Sequence, residues 1–355
     1  MTFDTPEFWW KKTNFAARSL SPISYIYSKF AARPFHRRDN LRLHMPVLCL
    51  GNFTLGGSGK TPLAIAVALR ALERGLNPAI ILRGYGGQVG ASHFVSVHDS
   101  ARLVGDEALL LARVAPTVVG SDRTIGAKAL EKKGHDFLIL DDGFQSRKIH
   151  ADYSLLLVDS WRGLGNEKVF PAGPLRAPLR IQLSYADAIV IIGEGEKGDK
   201  AIRYAARAAK TVDHIIFESI SSMPVAGKKF LAFAGIGNPD KFYASIRKLG
   251  GDIVMERAFP DHHFLNAYDV QDLLQTAAEK NLTLATTAKD YMRCSTDLSL
   301  KKNLGEDKFI QFLKMLTIFD IRFKDDNYCD RLISLTEQAF FKRKYGNSSF
   351  SITRK

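Results

Sequence analysis

The sequence is poor in cysteine, with three in 355 residues, and these three lack the spacing of metal ligands. We interpret them as core or surface thiols of a protein from a reducing compartment. The sequence also lacks any run of about 18 apolar residues, so we expect no membrane-spanning helix. The first residues, MTFDTPEFWWKK, contain an early acid and no apolar signal core, which does not indicate a secretory signal.

What the chain does have is enough apolar residues for a core and a surplus of positive charge. Hydrophobic residues make up 46% of the 355 positions, which predicts a substantial core, divided between two domains. The formal net charge of +13 indicates an anionic partner: nucleic acid, a phospholipid surface or a phosphorylated substrate. Charge alone does not choose among these three.

Residues 46–61, PVLCLGNFTLGGSGKT, join a short apolar run to a glycine-rich loop and a helix-forming segment. Strand, glycine loop and helix start, in this order, are the context of a phosphate-binding loop, in which backbone N–H groups surround an anion. Lys60 is predicted to reach the β- and γ-phosphates and the Thr61 hydroxyl to ligate Mg²⁺. The usual pattern G-x-x-x-x-G-K-[ST] is broken at its first glycine. The predicted nucleotide-binding residues are Thr54, Leu55, Gly56, Gly57, Ser58, Gly59, Lys60 and Thr61.

Two pairs of acids are candidates for the chemistry. Asp141 and Asp142 follow the predicted buried strand 137–140, an arrangement that holds Mg²⁺ directly or through water, although paired acids also cap turns. Asp106 and Glu107 open a helical stretch, where acids either complement the helix macrodipole or take part in catalysis.

Two loops are predicted to meet the phosphates or the acceptor. Arg83 and Tyr85 belong to an RGYGG loop after the predicted strand 79–82, and loops at the carboxyl ends of strands line the ligand crevice of parallel sheets. The alternative is a simple glycine-rich turn. Asn166 and Arg176 lie in the proline- and glycine-rich loop 163–178, whose length favours a functional role, with Arg176 a candidate for contact with substrate phosphate.

Alternating strands and helices predict an α/β protein with a mostly parallel, P-loop NTPase-like sheet flanked by helices. A second, smaller α/β domain follows, with SSMPVAGKK (221–229) as the best candidate for a linker. An N-terminal amphipathic helical segment precedes the core. The predicted domains are 1–45, N-terminal membrane-surface helices; 46–222, kinase core; 223–335, second α/β domain; and 336–355, basic tail.

The N-terminal segment, residues 1–45, carries eight Lys and Arg against three acids, interleaved with aromatic residues that include Trp9 and Trp10. A helix beginning at Thr5–Pro6 with this composition is typical of an interfacial membrane helix. The alternative is a helix packed on the main domain with a solvated basic face. Nucleic-acid binding is less favoured, because no helix-turn-helix, zinc-finger or RNA-binding signature accompanies the charge.

Seven motifs in this order, namely the phosphate loop, GDE, DDGFQ, PAGPLR, AGIGNP, FPDHH and TAKD, resemble those of the tetraacyldisaccharide 4′-kinases, the lipid A 4′-kinases of Gram-negative bacteria. The resemblance covers residues 5–330. It implies a kinase that uses ATP and Mg²⁺ and transfers the γ-phosphoryl group to the 4′-hydroxyl of a tetraacyldisaccharide 1-phosphate, giving lipid IVA in lipid A biosynthesis. It also implies a peripheral protein at the cytoplasmic face of the inner membrane, with a glycolipid substrate, no nucleic-acid partner, and an active site in the cleft between two domains.

The same resemblance assigns roles to residues. It implies that Asp106 is the catalytic base, assisted by His262, and that Lys60 contributes to catalysis. Glu107, Asp141 and Asp142 match positions associated with Mg²⁺. Two departures are Ser146, where histidine is frequent, and Arg293, where lysine is common.

Some alternatives stay open. The sequence does not determine whether His262 or His263 meets the base, nor which of Asp141 and Asp142 contacts metal. Two other functions are compatible with the motifs: a P-loop ATPase that binds membrane or nucleic acid without phosphorylating a lipid, and a kinase for another small anionic acceptor.

Overall fold

The computed structural model describes residues 6–12, 15–37, 39–83 and 89–346 of the chain. The strands are β1 (Val47–Asn52), β2 (Pro78–Leu82), β3 (His93–Phe94), β4 (Thr117–Val119), β5 (Phe137–Asp141), β6 (Tyr153–Asp159), β7 (Ala188–Ile192), β8 (Thr211–Ile215), β9 (Glu218–Ser221), β10 (Lys229–Ala234), β11 (Asp252–Ala258), β12 (Thr283–Thr287) and β13 (Leu316–Arg322).

Helices flank these strands, with short 3₁₀ turns at Glu7–Trp9, Arg33–His36 and Glu196–Gly198. The helices are α1 (Phe15–Ser19), α2 (Ser21–Ala32), α3 (Lys60–Glu73), α4 (Ala101–Val104), α5 (Asp106–Ala112), α6 (Arg123–Lys132), α7 (Leu179–Tyr185), α8 (Asp199–Arg207), α9 (Pro239–Lys248), α10 (Ala267–Lys280), α11 (Ala288–Ser295), α12 (Leu298–Leu304), α13 (Glu306–Met315) and α14 (Asp326–Tyr345).

The chain forms two compact units, each made of segments that are separate in sequence. The phosphate-loop unit comprises Phe8–Arg83, Asp122–Ile215 and Asp325–Lys355. The second unit comprises Met1–Glu7, Gly84–Ser121 and Ile216–Lys324.

In the phosphate-loop unit, six parallel strands are hydrogen-bonded in the order β2-β5-β1-β6-β7-β8. The central strands β1, β2 and β5 are buried along their whole length. This burial is typical of a parallel sheet covered by helices on both faces. Because β1 and β5 are neighbours, the residues that follow them emerge side by side at the same edge of the sheet.

In the second unit, five strands are hydrogen-bonded in the order β11-β10-β12-β13-β9, all parallel except the last pair. The side chains of β10 alternate between two apolar clusters, as a strand in the middle of a sheet requires. Leu231 and Phe233 pack with α10, α12 and α13, whereas Phe230 and Ala232 pack with α9. The same unit contains the short antiparallel pair β3 and β4.

The predicted α/β fold with a mostly parallel sheet is confirmed. The apolar runs predicted as strands at 47–50, 79–82, 137–140, 153–158 and 188–192 all form strands of the parallel sheet, and the helix predicted at 267–280 is α10. The segment 221–229, predicted as a linker, lies inside the second unit, between β9 and β10, and its Val225 is buried. Residues 336–345, predicted as part of a basic tail, form the end of α14, with Thr336 and Phe340 buried.

The prediction for the first residues was wrong in one respect, because the helix expected from Thr5–Pro6 is not continuous. Glu7–Trp9 is a 3₁₀ turn, Trp10–Lys12 is bent, and helix resumes at Phe15. Trp9 is buried, and its ring Nε1 donates a hydrogen bond to the carbonyl of Pro171 at 3.0 Å. Trp9 therefore anchors the loop 163–178 and does not belong to an exposed apolar face.

The exposed aromatic and aliphatic side chains of this region lie on α1 and α2. Across the described ranges, no helix is both long and apolar enough to span a bilayer. The large side chains exposed on the two helices are Phe15, Ile23, Tyr25, Ile26, Tyr27 and Phe30.

Candidate active site

The phosphate loop connects β1 to α3, and its shape is held from inside. The side chain of Asn52, the last residue of β1, donates hydrogen bonds to the carbonyls of Thr54 (2.7 Å) and Gly56 (3.1 Å). Gly56 and Gly59 have φ of 104° and 80°, a conformation that favours glycine. Thr54 does not have a positive φ. The loop therefore does not require glycine at the position where this sequence departs from the usual pattern.

Thr61 and Asp141 meet because β1 and β5 are neighbours. Thr61 lies in the first turn of α3 and Asp141 is the last residue of β5. The Thr61 hydroxyl donates to the Asp141 carboxylate at 3.2 Å, and both side chains are buried. Hydroxyl and carboxylate oxygens are the protein ligands that Mg²⁺ accepts, usually one or two of them together with water and substrate phosphates.

Asp142 is surrounded by positive charge. Its carboxylate lies 3.5 Å from Nζ of Lys60 and 3.0 Å from Nη1 of Arg176. Burial alone would raise the pKa of Asp142, but the charges of Lys60, Arg176 and Arg123 lower this pKa to about 2. Asp142 also has φ of 59°, a left-handed conformation that aspartate tolerates. The guanidinium of Arg123 donates a hydrogen bond to the backbone carbonyl of Asp142, which helps to fix this conformation.

The predicted substrate-binding residues differ in their surroundings. Nε of Arg176 also donates to the Thr54 carbonyl at 3.0 Å, so this guanidinium bridges the phosphate loop and Asp142. Asn166 donates to the Ala172 carbonyl at 2.9 Å and accepts from the Lys168 backbone, within its own loop. Arg83 follows β2 and is exposed, and Tyr85 lies outside the described residues. The substrate contacts of all four stay predictions.

Asp106 begins helix α5 in the second unit and is buried, with 3% of its surface exposed. One carboxylate oxygen accepts the backbone N–H of Glu107 at 2.8 Å. The other, Oδ2, lies 3.1 Å from Nη1 of Arg293 as an ion pair and receives no hydrogen bond from the part of the chain that the structure describes. Oδ2 is therefore the carboxylate oxygen that the described hydrogen bonds leave open.

The two histidines of FPDHH have different partners. Nδ1 of His262 lies 3.8 Å from Oδ2 of Asp106 and accepts from Arg293 at 3.5 Å. Nε2 of His263 instead contacts Asp269 at 3.0 Å, and its ring stacks on Phe259. Of the two, His262 is thus the histidine beside the predicted base. Its φ of 59° is a left-handed conformation, like that of Asp142.

Glu107, predicted as a metal ligand, forms an ion pair with Lys289. Burial alone would lower the pKa of Lys289, but the negative charges of Glu107 and Asp106 raise this pKa. Among the described residues, no group of three or more His, Cys, Asp or Glu side chains is arranged to hold a metal ion. The metal roles predicted for Glu107, Asp141 and Asp142 stay predictions.

Sequence analysis missed the contribution of TAKDYMR, which forms the start of α11. Thr287 caps this helix and hydrogen-bonds the Asp290 side chain at 2.6 Å. Asp290 in turn pairs with Arg293, one turn later. The signal was present, since Thr-x-x-Asp is the pattern of a helix N-terminus, and an arginine three residues on lies on the same helix face.

Arg162 is a second residue that the motifs did not indicate. Its guanidinium lies 5.0 Å from the centre of the Trp10 ring, and a β-carbon added at Gly56 would lie 3.7 Å from its Nη1. A third cation, after Lys60 and Arg176, therefore lies beside the phosphate loop.

A parallel sheet whose strand runs through a glycine loop into Lys60 and Thr61, with a carboxylate at the end of the neighbouring strand, defines the phosphate-loop class of nucleotide-binding proteins. Within this class, the family model described as tetraacyldisaccharide-1-P 4′-kinase (LpxK) matches residues 16–329. The chain belongs to the tetraacyldisaccharide-1-P 4′-kinase family.

Individual relatives agree with the family model. The chain is 45% identical over 347 residues to a tetraacyldisaccharide 4′-kinase of Brucella suis, an alignment covering 98% of this chain and 100% of the relative. It is 45% identical over 344 residues to the protein of the same name from Brucella anthropi, covering 97% and 99%. Among solved structures, the "apo" form of LpxK from Aquifex aeolicus in complex with ATP aligns with a TM-score of 0.63 and 25% identity, over 90% of this chain and 99% of that one.

Proposed function

We propose that this protein is an ATP-dependent kinase that transfers the γ-phosphoryl group to the 4′-hydroxyl of a tetraacyldisaccharide 1-phosphate, giving lipid IVA in lipid A biosynthesis. The relatives that are named for this activity align with this chain over nearly their whole length, and the related LpxK structure is a complex with ATP. The observation that carries the proposal is the phosphate loop itself, with Lys60 and Arg176 around it and Thr61 bonded to Asp141.

Phosphoryl transfer requires mainly alignment of donor and acceptor and neutralisation of charge on the transferred oxygens. The phosphate loop, Thr54 to Thr61, is proposed to hold the phosphates of ATP through backbone N–H groups, as loops before a helix N-terminus do. The N–H of Leu55 is not one of these groups, because it donates to the Pro174 carbonyl at 2.8 Å. Lys60 and Arg176 supply positive charge there. Arg162, beside Gly56, adds to that charge.

The acceptor hydroxyl must lose a proton, and Asp106 is the base that takes it. Its Oδ2 is buried and receives no hydrogen bond from the described residues, so it is able to accept the proton of an alcohol within hydrogen-bond reach. His262, whose Nδ1 lies 3.8 Å from this oxygen, is proposed to assist the base. Arg83, Tyr85, Asn166 and Arg176 are proposed to contact the acceptor.

Mg²⁺ is the cation that fits this loop. Thr61 and Asp141 offer two hard oxygen ligands at 3.2 Å from each other, and we assign them, rather than Asp142, to direct metal contact because Asp142 is engaged by Lys60 and Arg176. Glu107 is proposed to assist. When bound, the cation neutralises charge on the β- and γ-phosphates.

The protein is proposed to act as a peripheral protein on the cytoplasmic face of the inner membrane. The acyl chains of its substrate leave a bilayer only at a cost of about 0.8 kcal/mol per CH₂ group. The exposed apolar side chains of α1 and α2, among them Phe15, Tyr25 and Phe30, alternate with Arg18 and Lys29, which suits an anionic lipid surface. No nucleic-acid partner is proposed.

A product assay tests the reaction. The purified protein, ATP, Mg²⁺ and tetraacyldisaccharide 1-phosphate should yield a lipid heavier by one phosphate, located by mass spectrometry on the 4′ position. ATP hydrolysis that is stimulated by plain vesicles, DNA or RNA and yields no phosphorylated lipid would instead support a P-loop ATPase and contradict the proposal.

A sedimentation assay tests the membrane surface. Replacing Phe15, Tyr25 and Phe30 together with serine should weaken co-sedimentation with vesicles of phosphatidylglycerol and phosphatidylcholine by about tenfold, since each side chain loses buried apolar area. The control replaces Tyr268 and Leu298, which are exposed on helices of the second unit. Equal binding of the triple variant and the wild type would contradict an interfacial role for α1 and α2.

A further inference from the structure

The guanidinium of Arg293 is shared by two buried carboxylates. Nη1 lies 3.1 Å from Asp106 and Nη2 pairs with Asp290, while Nη2 also donates to the Gly235 carbonyl at 2.8 Å. Arg293, Asp106 and Asp290 are all almost completely buried. The group of three therefore has two negative charges and one positive charge.

We propose that Arg293 and Asp290 are positioning residues for the base Asp106: Arg293 aligns the carboxylate through the contact at 3.1 Å, and Asp290 holds the guanidinium of Arg293 in place. The inference rests on the proposed kinase reaction.

The proposed proton transfer takes place at Oδ2 of Asp106, the oxygen that Arg293 contacts. When the acceptor hydroxyl transfers its proton to Oδ2 of Asp106, its O–H bond breaks and an O–H bond forms on the carboxylate. The alcohol oxygen bonds to the γ-phosphorus as the bond to the β-phosphate oxygen breaks, releasing ADP. Arg293 then remains paired with Asp290, so no buried charge is left without its counter-charge.

Two further contacts fix the position of this group. The backbone N–H of Gly235 donates to Asp290 at 3.0 Å, and the carbonyl of the same residue accepts from Arg293 and from the His262 backbone. Nη1 of Arg293 also lies 3.5 Å from Nδ1 of His262. Arg293 thus contacts both the carboxylate of Asp106 and the histidine beside it.

Three further charged residues lie beside this group. Glu107 and Lys289 neutralise each other as an ion pair next to the group. Asp261 faces the other nitrogen of His262, with 3.8 Å between the atoms.

The experiment measures kcat and KM for both substrates with the full-length protein carrying Arg293→Met, Arg293→Lys or Asp290→Asn. We expect Arg293→Met to lower kcat by about 100-fold with KM within about threefold of wild type, because the loss falls on proton transfer. Arg293→Lys should recover activity to within about tenfold of wild type, because it retains the charge. Asp290→Asn keeps the hydrogen bond to Gly235 and should lower kcat by about tenfold.

Each variant is also combined with Asp106→Asn. If Arg293 and Asp290 act through Asp106, the double variants should be no slower than Asp106→Asn alone. Arg102→Met is the matched control, because Arg102 forms an ion pair with Asp297 at 2.8 Å in the same unit and should leave kcat unchanged.

Several results would overturn the inference. The first is a kcat within about threefold of wild type for Asp290→Asn and the Arg293 variants. The second is a double variant in which the loss of kcat multiplies with the loss caused by Asp106→Asn, and the third is a rise in KM with no change in kcat. If thermal unfolding shows that the Arg293→Met variant is not folded, the inference is judged on the results for Asp290→Asn and Arg293→Lys. A wild type that forms no phosphorylated lipid refutes the proposed function first, whereas normal turnover in wild type and all variants refutes only this inference.

Discussion

The two predicted groups of site residues have opposite charge arrangements. In the phosphate-loop unit one carboxylate, Asp142, is shared by two cations, Lys60 and Arg176. In the second unit one cation, Arg293, is shared by two carboxylates, Asp106 and Asp290. The first group has a surplus positive charge, which suits an anionic phosphate, and the second, which contains the proposed base, has a surplus negative charge. The charge surplus of the first group matches the task proposed for it.

The groups also differ in burial. The side chains of Lys60 and Asp142 are 12% and 29% exposed, whereas those of Arg293 and Asp106 are 2% and 3% exposed. Water therefore screens the first group in part and the second hardly at all. Removing one partner of a fully buried ion pair costs about 3–5 kcal/mol, so substitutions in the second group should affect stability as well as activity.

Among substitutions in the phosphate-loop unit, the largest effect is expected for Lys60→Met, which removes one of the two cations that share Asp142. Turnover should fall by about 100- to 1,000-fold, because a cation at the transferred phosphoryl group is lost. Steady-state kinetics with ATP and the tetraacyl disaccharide measure this. Lys132→Met, an exposed residue of α6, is the control, and a Lys60 variant as active as that control would contradict the role of the loop.

A smaller effect distinguishes a metal role of Glu107 from a purely structural one. If Glu107 assists Mg²⁺, Glu107→Gln should raise the half-saturating Mg²⁺ concentration by about tenfold. Lys289→Met breaks the same ion pair and should leave that concentration within about twofold of wild type. A Mg²⁺ titration of turnover compares the two variants. Equal shifts would place Glu107 with the structural ion pairs of the second unit and remove it from the metal site.

The smallest effect concerns the pH dependence of stability. Because the folded-state pKa of Asp142 is lowered to about 2, its carboxylate stabilises the fold above the unfolded pKa, and this contribution is lost as the pH falls toward 2. Allowing for partial exposure, we expect Asp142→Asn to lower the free energy of unfolding by about 1–2 kcal/mol at pH 6.

Urea unfolding at pH 6 and at pH 2.5 checks this expectation, with wild type and variant compared at each pH. The difference between them should shrink at the lower pH, where the wild-type carboxylate begins to take up a proton. A difference that stays the same at both pH values would show that the cations around Asp142 do not hold its charge.

How much the sequence predicts depends on how local each feature is. The phosphate loop, Asp141 and Asp142 follow directly on apolar strands, so contiguous motifs predicted both their strands and their place at the sheet edge. The partners of Asp106 and Glu107 are distant in sequence: Arg293 pairs with Asp106, and Lys289 reaches Glu107 across 182 positions. Such pairs form through the packing of α5 against α11, which no single motif encodes.

Aromatic composition was informative only in part. The N-terminal segment is rich in aromatic residues, but its sequence did not distinguish the buried ring of Trp9 from the exposed ring of Phe15. That difference depends on the loop 163–178, whose Pro171 carbonyl accepts the hydrogen bond from the indole. Composition predicts that a surface is available, whereas the tertiary structure decides which side chains form it.

The most direct test of this division of tasks is the variant Asp106→Asn, measured for ATP binding and for phosphoryl transfer on the same preparation. We predict ATP binding within about twofold of wild type, because the phosphate loop is unchanged, and single-turnover transfer slower by about 100- to 10,000-fold, because the base is lost. Transfer at the wild-type rate, or loss of ATP binding in a variant that remains folded, would contradict the account.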